Sequence, residues 1–271
     1  MIIIISIYDF SVREGSFLIF DTHAHYDSGS FHQDRDEILC AAHAAGVGLI
    51  LDPGCEARSS RLAIELADQY DFVCAAVGIH PSDLDSADED SLLEIRTLAE
   101  HPKCVAIGEI GLDYYWDDTH KEEQKRLFRW MIELALELDK PVIVHDREAH
   151  ADSMEIVSDY PGLRGVFHCF SGSVEMAREL WKRGWYLGFD GPITYKNARK
   201  AIEVLEECPS DRLLIETDSP YLSPIPMRGK RNDSRNLRYV IDRIAEIRGL
   251  SSEEVETITW ENGLRLFGIV R

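Results

Sequence analysis

The chain has 271 residues, 45% of them hydrophobic, and carries 29 Lys and Arg against 49 Asp and Glu, a formal net charge of −20 at pH 7. Five Trp, ten Tyr and ten Phe are spread along it with no low-complexity tract, which excludes disorder and collagen and leaves apolar material for a sizeable core. The acid surplus opposes an electrostatic grip on nucleic acid or anionic lipid, because Lys and Arg carry such binding. A phosphate substrate would need positive charge from elsewhere, and a metal centre would supply it.

In chain order, residues 1–16 read as an N-terminal appendage. Their apolar run Ile2 to Ile7 lacks a basic leading segment and is far shorter than the roughly 20 residues that span a bilayer, so neither a signal peptide nor a membrane segment is expected. Cys40, Cys55, Cys74, Cys104, Cys169 and Cys208 lie far apart, without zinc-ribbon or thioredoxin spacing. They read as reduced, buried thiols of a cytoplasmic protein.

Residues 17–271 read as one domain. Eight short apolar runs, 17–20, 47–51, 72–77, 104–107, 141–144, 165–167, 185–189 and 213–215, alternate with amphipathic stretches. Most lack polar alternation, as parallel strands covered on both faces do. A helix is clearest over 120–139, where Leu127, Met131, Leu134 and Leu138 share a stripe, and the last two helices read as 234–248 and 251–267. Ser251 and Glu254 form a capping box at the start of the latter. Eight strand-helix units with no Gly-rich phosphate loop after the first strand predict an α/β fold of the (β/α)8 TIM barrel type rather than a doubly wound sheet.

In such a barrel the strand C-termini and the loops after them build the active site. Strand 1 ends in His23 and His25, strand 3 in His80, strand 4 in Glu109, strand 5 in His145, strand 6 in His168 and strand 8 in Asp218. His32, His43, His101, His120 and His150 read as surface residues. Each strand-end residue alone fits a turn or a helix cap. His23-x-His25 is stronger, since residues two apart on an extended strand face one way and can chelate one cation. Six imidazoles and carboxylates crowded without metal would leave charges repelling and lone pairs unpaired. The set suits two divalent ions about 4 Å apart: His23, His25 and Asp218 on one, His145 and His168 on the other, with Glu109 as bridge. The donors do not choose among Mg2+, Mn2+ and Zn2+.

The segments 21–25, 77–81, 106–115, 144–147, 168–172 and 216–222, together with Arg228-Gly229-Lys230 and the closing 262–267, resemble the TatD family of metal-dependent deoxyribonucleases from about residue 17 to the C-terminus. The resemblance implies a TIM barrel of the amidohydrolase-like superfamily with two divalent ions, hydrolysing phosphodiesters of DNA as an exonuclease on single-stranded ends. One departure is that the family commonly continues Asn-Glu-Pro after this Arg-Gly-Lys motif, whereas Asn232 is followed by Asp233 and Ser234.

Other residues receive roles by position. His80 is not needed for either ion and, from its place and the resemblance, contacts the substrate phosphate or else caps the next loop. Arg147 offers a bidentate phosphate clamp or a rim ion pair with Asp146 or Glu148. Tyr114, Tyr115 and Trp116 could stack on a nucleobase, pack in the core or form a lid. Arg228 and Lys230 lie in a basic, Pro-rich loop suited to phosphate contact or to plain solvation. The expected reaction is metal-assisted hydrolysis, in which a water between the ions gives its proton to Asp218 and attacks phosphorus in line. Nucleic acid is thus the expected partner of a monomer that engages no membrane. Two other readings stand beside it: hydrolysis of an ester or amide such as D-aminoacyl-tRNA, which the bridging Glu109 in place of a modified lysine disfavours, and a non-catalytic metal-binding barrel.

Overall fold

The structure is a computed structural model that describes residues 19–116 and 118–270. The expected appendage 1–16 and the first two residues of the domain lie outside the described part. Eight strands, β1 (Ile19–Asp21), β2 (Val47–Pro53), β3 (Val73–Val77), β4 (Cys104–Asp113), β5 (Val142–Arg147), β6 (Gly165–Phe167), β7 (Tyr186–Phe189) and β8 (Leu213–Ile215), form one parallel sheet in sequence order. The sheet rolls up because the segment after β8 meets the segment after β1: the Thr22 amide donates to the Ile215 carbonyl at 3.2 Å, and Ala24 bridges Ser219 in parallel. The (β/α)8 barrel is therefore the observed fold.

Around the sheet lie α1 (Arg35–Ala44), α2 (Ala57–Gln69), α3 (Glu89–Ala99), α4 (Lys121–Glu137), α5 (His150–Ser158), α6 (Val174–Lys182), α7 (Arg199–Glu207), α8 (Leu237–Arg248) and α9 (Ser252–Phe267). The expected capping box is present: Ser251 accepts from the Glu254 amide, and Glu254 reaches back to the Ser251 amide. On α4 the buried stripe is Phe128, Met131, Ile132, Leu134 and Ala135, so Leu127 and Leu138 lie at its edges, each only partly buried. No helix among the described residues is long and apolar enough to cross a membrane.

Strand parity separates two cores. Val73, Ala75 and Val77 of β3, and Leu213 and Ile215 of β8, face outward onto the helices. Cys74, Ala76, Val105, Ile143, Val166 and Leu214 pack inside the barrel with Phe20. The interior is closed at the N-terminal end by α9, whose Trp260 and Phe267 rings lie 6.2 and 5.8 Å from that of Phe20. Side chains fill the barrel from below, so the inward positions at the opposite end are free to be polar.

The cysteines depart from expectation. Cys74, Cys104 and Cys208 are buried, but Cys40 is exposed and Cys55 and Cys169 are half-buried at the upper rim. His43 and His150 are likewise not simple surface residues: the first stacks on Phe72 with ring centroids 4.2 Å apart, and the second bonds Asp146 at 2.8 Å.

One glycine ties the sheet to the rim. Gly111 pairs with His145 across β4 and β5 at φ +142°, where a Cβ would stand 2.0 Å from the His145 carbonyl oxygen. Gly111→Ala is expected to destabilise the fold by more than about 2 kcal/mol, because the two strands must part. Gly162→Ala, at φ +90° with nothing near its Cβ, should cost only about 1 kcal/mol. Denaturant unfolding of both variants checks this; equal losses would refute the steric account.

Candidate metal centre

Parity also explains which residues reach the cup above the barrel. Ile143, Val166 and Leu214 face inward, so His145, His168 and Glu216, each two residues further on, face inward as well, and Asp218 follows two after Glu216. Glu109 stands four beyond inward Val105. β1 itself stops at Asp21, so His23 and His25 sit in the following segment rather than on the strand. The Ala24 bridge to Ser219 keeps that segment extended, and both rings turn the same way.

The donors converge on the buried carboxylate of Glu109. Its Oε2 lies 3.4 Å from His23 Nε2 and 3.5 Å from His25 Nε2, which are 3.0 Å from each other. Asp218 Oδ1 completes this group at 3.4 Å from His25 Nε2 and 3.8 Å from His23 Nε2. On the other side, Oε1 lies 2.9 Å from His145 Nδ1 and 2.7 Å from His168 Nε2, themselves 3.2 Å apart. One carboxylate thus faces two donor groups, one with each oxygen. Burial pushes the Glu109 carboxyl up, but the surrounding His168, His23 and His80 and the bond with His145 prevail and hold it well below the ordinary carboxylate range.

The donor sets fit divalent cations. Two ligands each about 2.1 Å from one ion at tetrahedral angles are about 3.4 Å apart, a value inside the 2.7 to 3.8 Å range that these atoms span. In His25 and His145 the outer ring nitrogen fixes the inner one. His25 Nδ1 lies 3.0 Å from the Pro53 carbonyl, which only accepts, so Nδ1 carries the proton and Nε2 presents its lone pair. His145 donates from Nε2 to Asp113 Oδ2 at 2.9 Å and turns Nδ1 inward, the carboxylate–histidine support common at metal sites.

His80 is built the other way round. Its Nδ1 accepts from the Ser82 amide at 3.1 Å, capping the 3-10 helix Pro81–Ser86, which leaves the proton on Nε2, 3.7 Å from Glu109 Oε1. Burial lowers its pKa to about 3. It is a neutral N–H donor aimed at the centre, so the cap and the inward contact are compatible.

All of these side chains but the fully buried His23 line a cavity of about 720 Å3, with Cys55, Asp113, Trp116, Arg147, Tyr221 and Leu222 also on its walls. Tyr114, Arg228 and Lys230 are not among its described lining residues. Tyr114 is partly buried against the core and donates to Asp152 at 2.6 Å; Arg228 stacks over Tyr195 at 4.6 Å; the Lys230 carbonyl accepts from Ser223. Arg147 lies over the Tyr115 ring at 4.1 Å, while its expected rim partner Asp146 bonds His150 and Ser153. The loop that departs from the family pattern is tied to the strand end by buried Asn232, which donates to the Thr217 carbonyl at 2.9 Å.

Sequence reasoning passed over Asp113 and Cys55. Asp113 continues the parity of Glu109 and Gly111, a signal that was available. Cys55, whose Sγ lies 3.8 Å from Glu109 Oε2, carries none, being a loop residue brought in by β2.

A (β/α)8 barrel whose strand ends gather imidazoles and carboxylates around a buried carboxylate belongs to the metal-dependent barrel hydrolases. More narrowly, the chain is a member of the TatD family: the model for the TatD related DNase family matches residues 20–268. The uncharacterised metal-dependent hydrolase YabD of Bacillus subtilis is 45% identical over 254 residues, 93% of this chain and 100% of that protein. The 3'-5' ssDNA/RNA exonuclease TatD of Cronobacter sakazakii is 35% identical, covering 92% of this chain and 97% of its own. The crystal structure of the TatD homologue YJJV from Escherichia coli K12 matches with a TM-score of 0.87 at 34% identity, over 93% of this chain and 98% of that one.

Asp113→Asn keeps the shape of the support for His145 but removes its charge. It is expected to weaken divalent-ion binding by about 10- to 100-fold, read by equilibrium dialysis against Zn2+ or Mn2+. Unaltered affinity would show that Asp113 has no part in holding a metal.

Proposed function

We propose that the protein is a divalent-metal-dependent phosphodiesterase that releases nucleotides from single-stranded ends of DNA. The observation that carries this reading is the division of Glu109, whose two carboxylate oxygens face separate donor groups. His23, His25 and Asp218 with Oε2 would hold one ion, and His145 and His168 with Oε1 the other. When bound, such ions lower the pKa of water at the site and neutralise charge developing on a phosphoryl oxygen. They also answer the electrostatic problem of a chain with net charge −20, since the cup is positive only when loaded. The likeness to the Cronobacter 3'-5' ssDNA/RNA exonuclease supports a nucleic-acid substrate.

The protein's own groups supply orientation and a proton path. Burial pushes the Asp218 carboxyl up, but the adjacent His25 and His23 outweigh it and hold it below the usual range. It therefore starts ionised, as an acceptor for the proton of the attacking water must. His80 Nε2–H donates to a non-bridging phosphoryl oxygen and orients it, with the ring locked by its bond from Ser82. Arg147 at the rim is the sole Lys or Arg among the described lining residues, and its guanidinium would contact a phosphate oxygen of the bound strand.

The test is a product ladder from an end-labelled single-stranded oligonucleotide. Chelator should abolish nucleotide release, with Mg2+, Mn2+ or Zn2+ restoring part of it, and Glu109→Ala should be inactive. His80→Ala should lose activity on the order of 100-fold, the usual consequence of removing one preorganised donor, while binding metal as the parent does. Release of nucleotides by metal-free protein or by Glu109→Ala would sink the scheme. Cleavage of a simple ester or of D-aminoacyl-tRNA, with DNA left intact, would reassign the substrate. Bound metal with no hydrolysis of any of these would make the barrel non-catalytic.

A further inference from the structure

At the mouth of the cup, the turn after β4 displays two aromatic rings that the fold leaves in water. Trp116 is 69% exposed and Tyr115 57%. Their neighbour Tyr114 shows that the same turn can pack an aromatic inward, for its hydroxyl bonds Asp152 and its ring lies against the core. Exposing so much apolar surface forgoes the stabilisation that its burial would give. The two rings meet edge to face at 4.9 Å and 85°, and the Arg147 guanidinium lies 4.1 Å from the Tyr115 centroid and 5.4 Å from that of Trp116. Trp116 and Arg147 line the same cavity as Glu109, His145 and Asp218.

The turn is wired to the metal centre. Asp113 Oδ1 accepts from the amides of Tyr115 and Trp116 at 2.9 and 3.0 Å, while Oδ2 of the same carboxylate takes the His145 Nε2 proton. One side chain thus sets the position of the rings and of a candidate ligand together. The facing wall is aromatic too: Tyr221, 57% exposed, follows Asp218 by three residues, and its ring centroid lies 6.5 Å from that of His25.

We infer that Trp116, with Tyr115 and Arg147, is a stacking subsite for the unpaired nucleobase next to the scissile phosphate. This deepens the phosphodiesterase reading and rests on it. Rings and a guanidinium plane offer every base a π-face without reading its edge, so the subsite is indifferent to sequence. A base laid on Trp116 must leave its own stack and its pairing partner, so the subsite selects single-stranded ends. It also supplies affinity of a kind that the acidic surface does not repel.

The test compares steady-state cleavage, by metal-loaded wild type, Trp116→Ala and Trp116→Phe, of a single-stranded oligonucleotide and of the same strand with an abasic residue at the terminal position. For wild type, kcat/KM should be about 5- to 150-fold lower on the abasic end, the range of one lost base–aromatic stack. Trp116→Ala should lose a similar factor on the ordinary end, chiefly in KM, so that its preference for a base collapses toward one, and Trp116→Phe should recover much of it. An equal loss on both ends, or a preference that survives in Trp116→Ala, overturns the subsite while leaving the nuclease intact. If wild type cleaves neither strand with any of the three metals, the phosphodiesterase reading fails, and the subsite with it.

Discussion

Everything at the upper end of this barrel depends on one buried carboxylate. Glu109 is 3% exposed and has four imidazole nitrogens within 3.5 Å of its two oxygens. A carboxylate so far from water is costly unless it is paired, and the imidazole nitrogens gathered around it crowd one another at 3.0 and 3.2 Å. Neither set is at ease alone. Divalent cations relieve both strains together, which is why the arrangement reads as a metal centre rather than a hydrogen-bonded core.

The barrel holds so concentrated a group because it spreads the donors over rigid elements. Glu109 and Asp113 come from β4, His145 from β5, and His168 and Asp218 from just beyond β6 and β8; the segment carrying His23 and His25 is pinned to the one carrying Asp218 by the Ala24–Ser219 bridge. Below them the interior is packed apolar, with α9 as floor. Preorganisation on strands differs from preorganisation on loops: moving Glu109, Asp113 or His145 means parting a parallel ladder.

Much of this was legible in the residues. The eight apolar runs located the strands because parallel strands covered on both faces need no polar alternation, and strand-end residues such as His145 and His168 followed from the rule that barrels do their chemistry at the C-terminal rim. The outer layer was less legible. Nothing local distinguishes Tyr114, which turns into the core, from Tyr115 and Trp116, which turn out; that is decided by Asp152 on α5 and by the two amides that Asp113 collects. Arg228 and Lys230 illustrate the same limit. A basic loop suggests phosphate contact, yet the long return from β8 lays Arg228 on Tyr195. Pairing between distant loops carries no period that a single sequence displays.

In the proposed phosphodiesterase the acidic composition would have a role rather than pose an obstacle. A surface of net charge −20 repels polyanions over about a Debye length, roughly 8 Å at physiological salt, so that non-specific adhesion to nucleic acid is suppressed. Attraction would be left to short-range features at one cavity: the cations that the donor sets would hold, the Nε2–H of His80, and the Trp116 ring beside Arg147. A chain end that is already unpaired can reach all three. Duplex DNA meets the repulsion over its whole length and has no free base to offer in return. On that reading charge and site geometry would discriminate in the same direction, with repulsion outside the cup acting beside contacts within it.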